Sequence, residues 1–561
     1  MQQVMQQVMH RVIHDVIHHV MGHVLLESPA FPGAFMAKDN SARHAIMVAA
    51  GILCSRLMGL VRQRVFSHYF GLSDIADAFS SALRVPNFLQ NLFGEGVLSA
   101  SFIPVYARLL AQGRQEEADR VAGAVAAVLS LVISLIVLVG ILATPWLIWA
   151  VAPGYTGEKR EFTILLVRIL FPGLGLLVGS AWCLGILNSH RRFFLSYAAP
   201  VIWNLSMIAT MVIFRNSSLP DLAVWLAWGT TFGCLLQLAI QLPPVLRLTG
   251  KLPLRPDGAN ASVREVFRNF GSVAISRGVV QISSYVDQAI ATLLGPGAMA
   301  AMTTAASINM LPVSLFGMAI SASELPAMAR SLGDDGATDA REALRSRLDR
   351  GMRRIAFFVV PSAMAFFVLG DVITAALYQS GRFTHDDAVF VWAIIAGSGV
   401  GLLASTLGRL YSSTYYALLD PRTPLRYALV RLLLTTVLGL ACALVLPARL
   451  GIAPQWGTVG LTASAGVAAW VELFLLRRTL NARIGVTGLP RGLLFRLWTA
   501  AGLSAAAAFA LKITLAWQQP VLLGIVVLGL YGGLYFAITY VARVDECRGF
   551  MQALGRRLKR R

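Results

Sequence analysis

At 561 residues, with 56% hydrophobic and 14% charged side chains and a mean hydropathy of +0.66, the chain is too apolar for a water-soluble globule. Its apolar runs recur to the C-terminus, so it reads as an all-α, polytopic membrane protein. A net charge of +20 would point a soluble protein toward nucleic acid, but in a membrane chain it first reports which loops are cytoplasmic, and no nucleic-acid partner is expected.

In chain order, residues 4–25 form a low-complexity tract with a four-residue beat of Val-Met and Val-Ile pairs. His10, His14 and His18 fall on one helix face there, a spacing that any four-residue repeat containing histidine produces. The tract lacks the charged start, continuous apolar middle and cleavage site of a signal peptide. Because Met36-Ala-Lys38 directly precedes the first apolar run, residues 1–35 are expected to be a dispensable extension and Met36 the native start.

Windows of roughly 20 apolar residues, broken by polar or Gly/Pro turns, then predict about fourteen membrane helices. Their spans are 42–69, 73–107, 121–152, 160–188, 193–214, 221–246, 267–294, 298–330, 354–379, 387–418, 424–447, 456–477, 494–516 and 519–542. The first carries Ser55-Arg56 and Arg62. The second carries Asp77, Ser81, Arg84, Asn91 and Glu95 within roughly 40° of one line at 100° per residue. A charged stripe on an apolar helix costs several kcal/mol in hydrocarbon, so it is expected to face a water-filled cavity or a partner helix. An interhelical pair of Asp77 with an arginine is the plainer alternative. With the N-terminus inside, roughly 33 Lys and Arg fall in inside segments against about 6 outside, which predicts that both termini are cytoplasmic. The basic tail Arg556-Arg557-Leu-Lys559-Arg560-Arg561 reads first as topology signal and second as a contact for anionic lipid.

The sequence also contains an internal repeat. Ser99-Ala-Ser101-x-x-Pro104-x-x-Ala-Arg108 recurs as Ser321-Ala-Ser323-x-x-Pro326-x-x-Ala-Arg330, and Ser55-Arg56 and Phe93-Gly94 recur as Ser276-Arg277 and Phe316-Gly317. Six helices separate each pair, and an even number restores orientation, so two parallel six-helix repeats with a C-terminal helix pair are expected. The second copy keeps the polar face only in part. Arg277, Gln281, Ser284 and Gln288 share a side with Asp287 nearby, while Thr303, Thr304, Ser307 and Asn309 stand where the first half has Asp77 and Arg84. Asp287 is a candidate sodium or proton ligand, with pairing to Arg277 as the structural alternative. Arg409 with Tyr411, Tyr415 and Tyr416 forms a polar, aromatic patch at a helix end, read equally as an interfacial belt or a ligand contact.

The chain has no Walker lysine loop, dinucleotide fingerprint, His-Glu-x-x-His or nucleophile elbow, and its loops are too short for a soluble catalytic domain. Its five cysteines are scattered, which fits neither a disulfide framework nor a metal site. No cofactor is expected, and energy is left to the membrane potential, sodium or protons. Arginines between two repeats point to an anionic cargo, because guanidinium stays charged when buried and binds phosphate through two parallel bonds.

From about residue 42 the chain resembles the MurJ (MviN) family of bacterial lipid II flippases, within the multidrug/oligosaccharidyl-lipid/polysaccharide exporter superfamily. The resemblance rests on Ser55-Arg56-x-x-Gly59-x-x-Arg62, Phe70-Gly71 with Asp77-Ala-Phe79, Pro86-Asn87-Phe with Phe93-x-Glu95-Gly96, and Phe102-x-Pro104. It extends through Ala152-Pro-Gly154-Tyr155, Asn188-x-x-x-Arg192-Phe193 with Pro200 and Asn204, Tyr378-x-x-Gly381-Arg382-Phe383-Thr384, and Asp420-x-x-Thr423-Pro424. It implies two six-helix lobes, at 36–250 and 251–490, a terminal pair with a basic tail at 491–561, and alternating access around a cationic cavity. The implied cargo is the undecaprenyl-pyrophosphate-linked peptidoglycan precursor, carried to the outer leaflet of the bacterial inner membrane. Carried over residue by residue, the implied cargo-binding positions are Arg56, Arg62, Asp77 and Arg84. Other members have arginine where this chain has Gln90-Asn91 and Ser307, and Arg277 in the adjoining helix is the expected partial replacement. The expected partners are the lipid-linked precursor and membrane lipids, with a monomeric chain and cell-wall synthesis proteins as candidate associates. Rival readings are a flippase for another polyprenyl-pyrophosphate glycan, a cation-coupled drug exporter and a transport-inactive scaffold.

Overall fold

The computed structural model describes residues 39–250, 252–255, 260–321, 324, 328, 337–515 and 519–558. The low-complexity tract, the histidines at 10, 14 and 18, the expected start at Met36 and most of the second Ser-Ala-Ser repeat lie outside the described residues. Contacts divide the chain into two units, Met1–Ala49 and Ala50–Arg561, and the candidate site residues all belong to the second. Among its described residues the second unit is helical, apart from one isolated bridge between Ser380 and Phe383.

The helices are α1 (Asp39–Phe70), α2 (Asp74–Phe93), α3 (Glu95–Ser101), α4 (Ile103–Ala111), α5 (Gln115–Val151), α6 (Gly157–Ser189), α7 (Phe193–Ile213), α8 (Leu219–Leu248), α9 (Ala261–Thr292) and α10 (Ala298–Pro312). They continue as α11 (Ala337–Val368), α12 (Gly370–Tyr378), α13 (His385–Ala417), α14 (Arg422–Leu440), α15 (Leu446–Leu450), α16 (Gly457–Ile484), α17 (Arg491–Thr514), α18 (Pro520–Val541) and α19 (Asp545–Leu558). Among the described residues, eleven helical segments are long and apolar enough to cross a membrane. Each overlaps one of the expected spans. The three expected spans outside that set, 42–69, 73–107 and 267–294, are the ones carrying the candidate site residues. In 73–107 and 267–294, polar side chains lower the apolar content of the window.

Two helix expectations change. The stretch 73–107 is three helices. At Gly94 the backbone turns to φ −92°, ψ −143°, where a side chain would collide with the Gln90 carbonyl. Pro104 then opens α4, because its missing N–H costs nothing in a first turn. The stretch 354–379 breaks at Leu369. The carbonyls left over at the end of α11 accept from the Trp392 indole, which donates to Phe366 O at 3.1 Å and Phe367 O at 3.2 Å.

The terminal pair is fastened in the same way, by donors that meet orphaned carbonyls. Pro361 within α11 has no N–H for the Phe357 carbonyl, and Tyr535 of α18 donates to that oxygen at 2.6 Å. Tyr531 donates to Pro361 O at 2.7 Å, and Lys512 of α17 pairs with Asp371 of α12. Buried apolar residues form separate clusters, one of α3–α6 with α8 and the start of α9, another centred on α11, α13 and α16. Along α5, Leu131, Leu135, Leu138, Leu142, Trp146 and Trp149 form an exposed stripe at helical spacing, the surface expected against lipid.

Candidate functional site

Near its C-terminal end, α1 presents three successive polar residues toward three different neighbours. Arg62 lies over the Trp203 ring at 5.4 Å from its centroid, with Nη1 3.9 Å from Met207 Sδ. Gln63 donates to Thr304 Oγ1 at 3.3 Å. Arg64 donates to the Ala376 and Leu377 carbonyls at 2.8 and 2.5 Å, closing the C-terminal end of α12 with a positive charge. The buried Tyr378 phenol lies beside Ser307, within electrostatic range of both Arg62 and Arg64. Arg56, two turns earlier, is exposed and makes no hydrogen bond or ion pair among the described residues.

On α2, Ser73 caps the helix by accepting from Ala76 N, which sets Asp77 in the first turn. Its partner differs from the expected arginine. Asp77, at 0% exposure, accepts from Lys159 Nζ at 2.9 Å, from Gly297 N at 2.8 Å and from Ala300 N at 2.8 Å. The physical reason is that the start of α10 presents unpaired N–H groups at the positive end of its dipole, and a carboxylate satisfies both. Lys159 also bonds Asp74 at 2.5 Å and lies over the Tyr155 ring at 4.4 Å. Lys159 is not among the residues expected at the site from sequence. One turn on, Ser81 hydrogen-bonds Tyr155 at 2.8 Å. Arg84 then donates to Thr303 at 3.1 Å, and its carbonyl accepts from Tyr285 at 2.9 Å. The stripe therefore meets α9 and α10 through Arg84 and Asp77, and the Tyr155–Lys159 stretch at the start of α6 through Ser81 and Asp77. Asn91 is exposed, and the Glu95 side chain lies outside the described residues.

Among the described residues, Arg56, Arg62, Asp77 and Arg84 share no hydrogen bond or ion pair with one another. Arg62 and Arg84 have neutral partners, an indole, a thioether and a hydroxyl. The Arg277 side chain lies outside the described residues. Asp287 has one buried oxygen with no hydrogen bond among the described residues, and Arg431, which bonds Glu472 at 3.0 Å, lies within electrostatic range of it. The tyrosine patch is largely interior. Tyr411 hydrogen-bonds Thr487 at 2.9 Å and Tyr415 donates to Leu476 O at 3.0 Å, leaving Tyr416 at the surface.

Three motifs far apart in sequence meet in one joint. Arg382 N donates to His68 O at 2.9 Å. A Cβ at Gly71 would stand 2.8 Å from Arg382 O, and one at Gly297 2.7 Å from Leu72 O. Both glycines have positive φ, +57° and +78°, so their identity follows from backbone conformation as well as space. Gly154 N donates to Thr292 Oγ1 at 3.3 Å. At the opposite end of the bundle, Arg108 makes a two-bond pair with Glu265 at 3.2 and 2.6 Å. Those hydrogen bonds hold the Glu265 carboxyl below its ordinary pKa.

A profile of lipid II flippase MurJ matches residues 66–532. The chain belongs to that family. It is 31% identical over 443 residues to a probable lipid II flippase MurJ of Rhizobium tropici, covering 78% of this chain and 80% of the relative. It is 30% identical over 452 residues to a lipid II flippase MurJ of Burkholderia cenocepacia, covering 79% and 84%. Among solved structures, lipid II flippase MurJ in an inward closed conformation superposes with a TM-score of 0.73 at 20% identity, over 89% of this chain and 99% of that one. An inward-facing multidrug resistance transporter of the MATE family gives 0.62 at 18% identity, over 78% and 98%. At these identities the structural likeness speaks for the fold. Membership of the lipid II flippase MurJ family makes the chain a transporter and not an enzyme.

Proposed function

We propose that this chain moves lipid II, the undecaprenyl-pyrophosphate-linked peptidoglycan precursor, from the inner to the outer leaflet of the bacterial cytoplasmic membrane. The observation that carries the reading is a pair of guanidinium groups, Arg62 between α1 and α7 and Arg84 between α2 and α10, whose partners among the described residues are neutral. Such groups retain a full charge and open N–H edges for phosphate oxygens. Arg56, exposed on the same helix as Arg62, supplies a third, and Arg277 is the second-half contribution.

The transport cycle is alternating access between two parallel six-helix lobes, 36–250 and 251–490, with residues 491–561 as an added pair and tail. Fourteen spans result when the eleven apolar helices are joined by the three polar ones that line the cavity. The distribution of Lys and Arg sets both termini in the cytoplasm. The joint of Asp77, Gly71, Gly297 and Arg382 is then the outer seal, and this conformation is closed outward. The Arg108–Glu265 pair ties α4 to α9 at the opposite end, so cargo enters from the cytoplasmic leaflet when that pair releases, the pyrophosphate meets the arginines, and the pair re-forms as the outer seal parts. Asp287 is proposed as the site of ion coupling, with the membrane potential as the alternative source of drive.

The test is replacement of the resident lipid II flippase in a depletion strain. Growth and normal shape with this chain, lost with Arg62→Ala at equal membrane abundance, support the reading. Lysis with the intact chain at that abundance overturns it.

A further inference from the structure

The partner of Arg62 is built by helix packing on its far side. Trp203 and Met207 are one turn apart on α7, so both side chains fall on one face and hold the guanidinium, at 5.4 Å from the ring centroid and 3.9 Å from the sulfur. That face is fixed from behind by α8, where Gly229-x-x-x-Gly233 presents a bare backbone. Ser206 donates to Gly229 O at 2.8 Å. A Cβ at Gly233 would stand 3.1 Å from Trp203 Cδ1 and 2.9 Å from Ser206 Cβ. Small residues at this spacing let two helices approach within a membrane. Here the approach delivers an indole face to α1.

We propose that Trp203 is a positioning residue for cargo recognition, its ring holding Arg62 in place by a cation–π contact that leaves the guanidinium edges open to pyrophosphate. The proposal rests on the reading of Arg62 as a cargo contact. A carboxylate at this place would hold Arg62 more firmly, but it would neutralise the charge and compete with phosphate for the same donors. An aromatic face attracts the cation through its quadrupole without accepting its in-plane N–H bonds. Met207 adds a polarizable contact and no charge. Arg62 is thereby ordered before cargo arrives, and the entropy of ordering a long side chain is not charged against binding.

The experiment measures binding of undecaprenyl pyrophosphate to the full chain in lipid nanodiscs, with undecaprenol as the probe lacking phosphates. Trp203→Leu is expected to weaken pyrophosphate binding by about 2- to 30-fold, the range of a cation–π contact, and Trp203→Phe by less. In an Arg62→Ala background, Trp203→Leu should add nothing, because the ring acts only through the guanidinium. Fluorinated tryptophans at position 203 keep the indole's shape while draining its face, and affinity should fall stepwise with fluorination even if the leucine variant fails to assemble. Unchanged affinity across the fluorinated series, or an equal loss from Trp203→Leu with and without Arg62, overturns the proposal. Wild-type affinity in Arg62→Ala alone would instead overturn the cargo-site reading beneath it.

Discussion

Replacing Asp77 should open the outer seal, and the structure sets how far. Its bond to Lys159 joins α2 to α6 within the first half and survives opening, whereas the bonds from Gly297 and Ala300 cross to α10 and must break. Hydrogen bonds to a charged group contribute about 1.5–3 kcal/mol each, and an asparagine at the site retains one neutral acceptor worth about 1. Asp77→Asn therefore costs the closed state about 2–5 kcal/mol, which shifts the closed-to-open ratio by roughly 30- to 5,000-fold toward open. The assay is labelling of a single cysteine placed at Leu72, in a chain freed of its other cysteines, by a membrane-impermeant maleimide added outside intact cells. Asp77→Asn should label at least about tenfold faster than its parent. Lys159→Met should act in the opposite direction. Without the lysine an opened seal leaves the carboxylate with no partner, so labelling slows. Equal labelling in Asp77→Asn and its parent, or acceleration in Lys159→Met, would refute the reasoning.

Other expectations rest on the same contacts. Arg56→Ala and Arg62→Ala should each weaken cargo binding by about tenfold or more, and Arg56→Lys should recover little, since lysine keeps the charge and loses the planar fork; a leaflet-accessibility assay for the precursor at matched abundance checks this. Gly381→Val should disrupt the joint, because φ is +59° there and a side chain would meet the His68 carbonyl, and the Leu72 cysteine should then label faster. Asp287→Asn should abolish the dependence of transport on an imposed sodium or proton gradient, and a dependence unchanged in vesicles would remove Asp287 from coupling. Asp420 is held at about 2, below the ordinary 3.8, by hydrogen bonds from Thr423 and Arg483. A depressed carboxyl stabilises the fold above its unfolded pKa and loses that contribution as pH falls through the folded value. The melting temperature of purified protein should therefore drop between about pH 4 and about pH 2, with a shallower drop in Asp420→Asn.

The apolar spans were legible because a bilayer demands long runs of hydrocarbon, a local property of sequence. Helix breaks were legible only in part. Gly94 and Pro104 were visible as residues, but the interruption at Leu369 depends on Trp392 reaching back from another helix. The same holds at the site. A buried aspartate near several arginines implied a positive partner, yet the donors that satisfy Asp77 are largely backbone N–H groups of Gly297 and Ala300, which no side-chain pattern reveals. Arg62 was singled out as a charge in an apolar helix. Its indole partner was hidden because Trp203 sits in an ordinary apolar span and is brought over by the glycines of α8.

The central claim is that arginines whose partners among the described residues are neutral, Arg62 and Arg84, carry a pyrophosphate-linked lipid across the membrane. The measurement that tests it most directly is the appearance of fluorescent lipid II in the opposite leaflet of vesicles holding the purified chain, compared with Arg62→Ala and with empty vesicles. The account predicts protein-dependent translocation that falls toward the empty-vesicle rate in Arg62→Ala, with short-chain phosphatidylcholine left in place. Equal translocation by the two proteins, or none by the intact chain under conditions where lipid II binds, would contradict it.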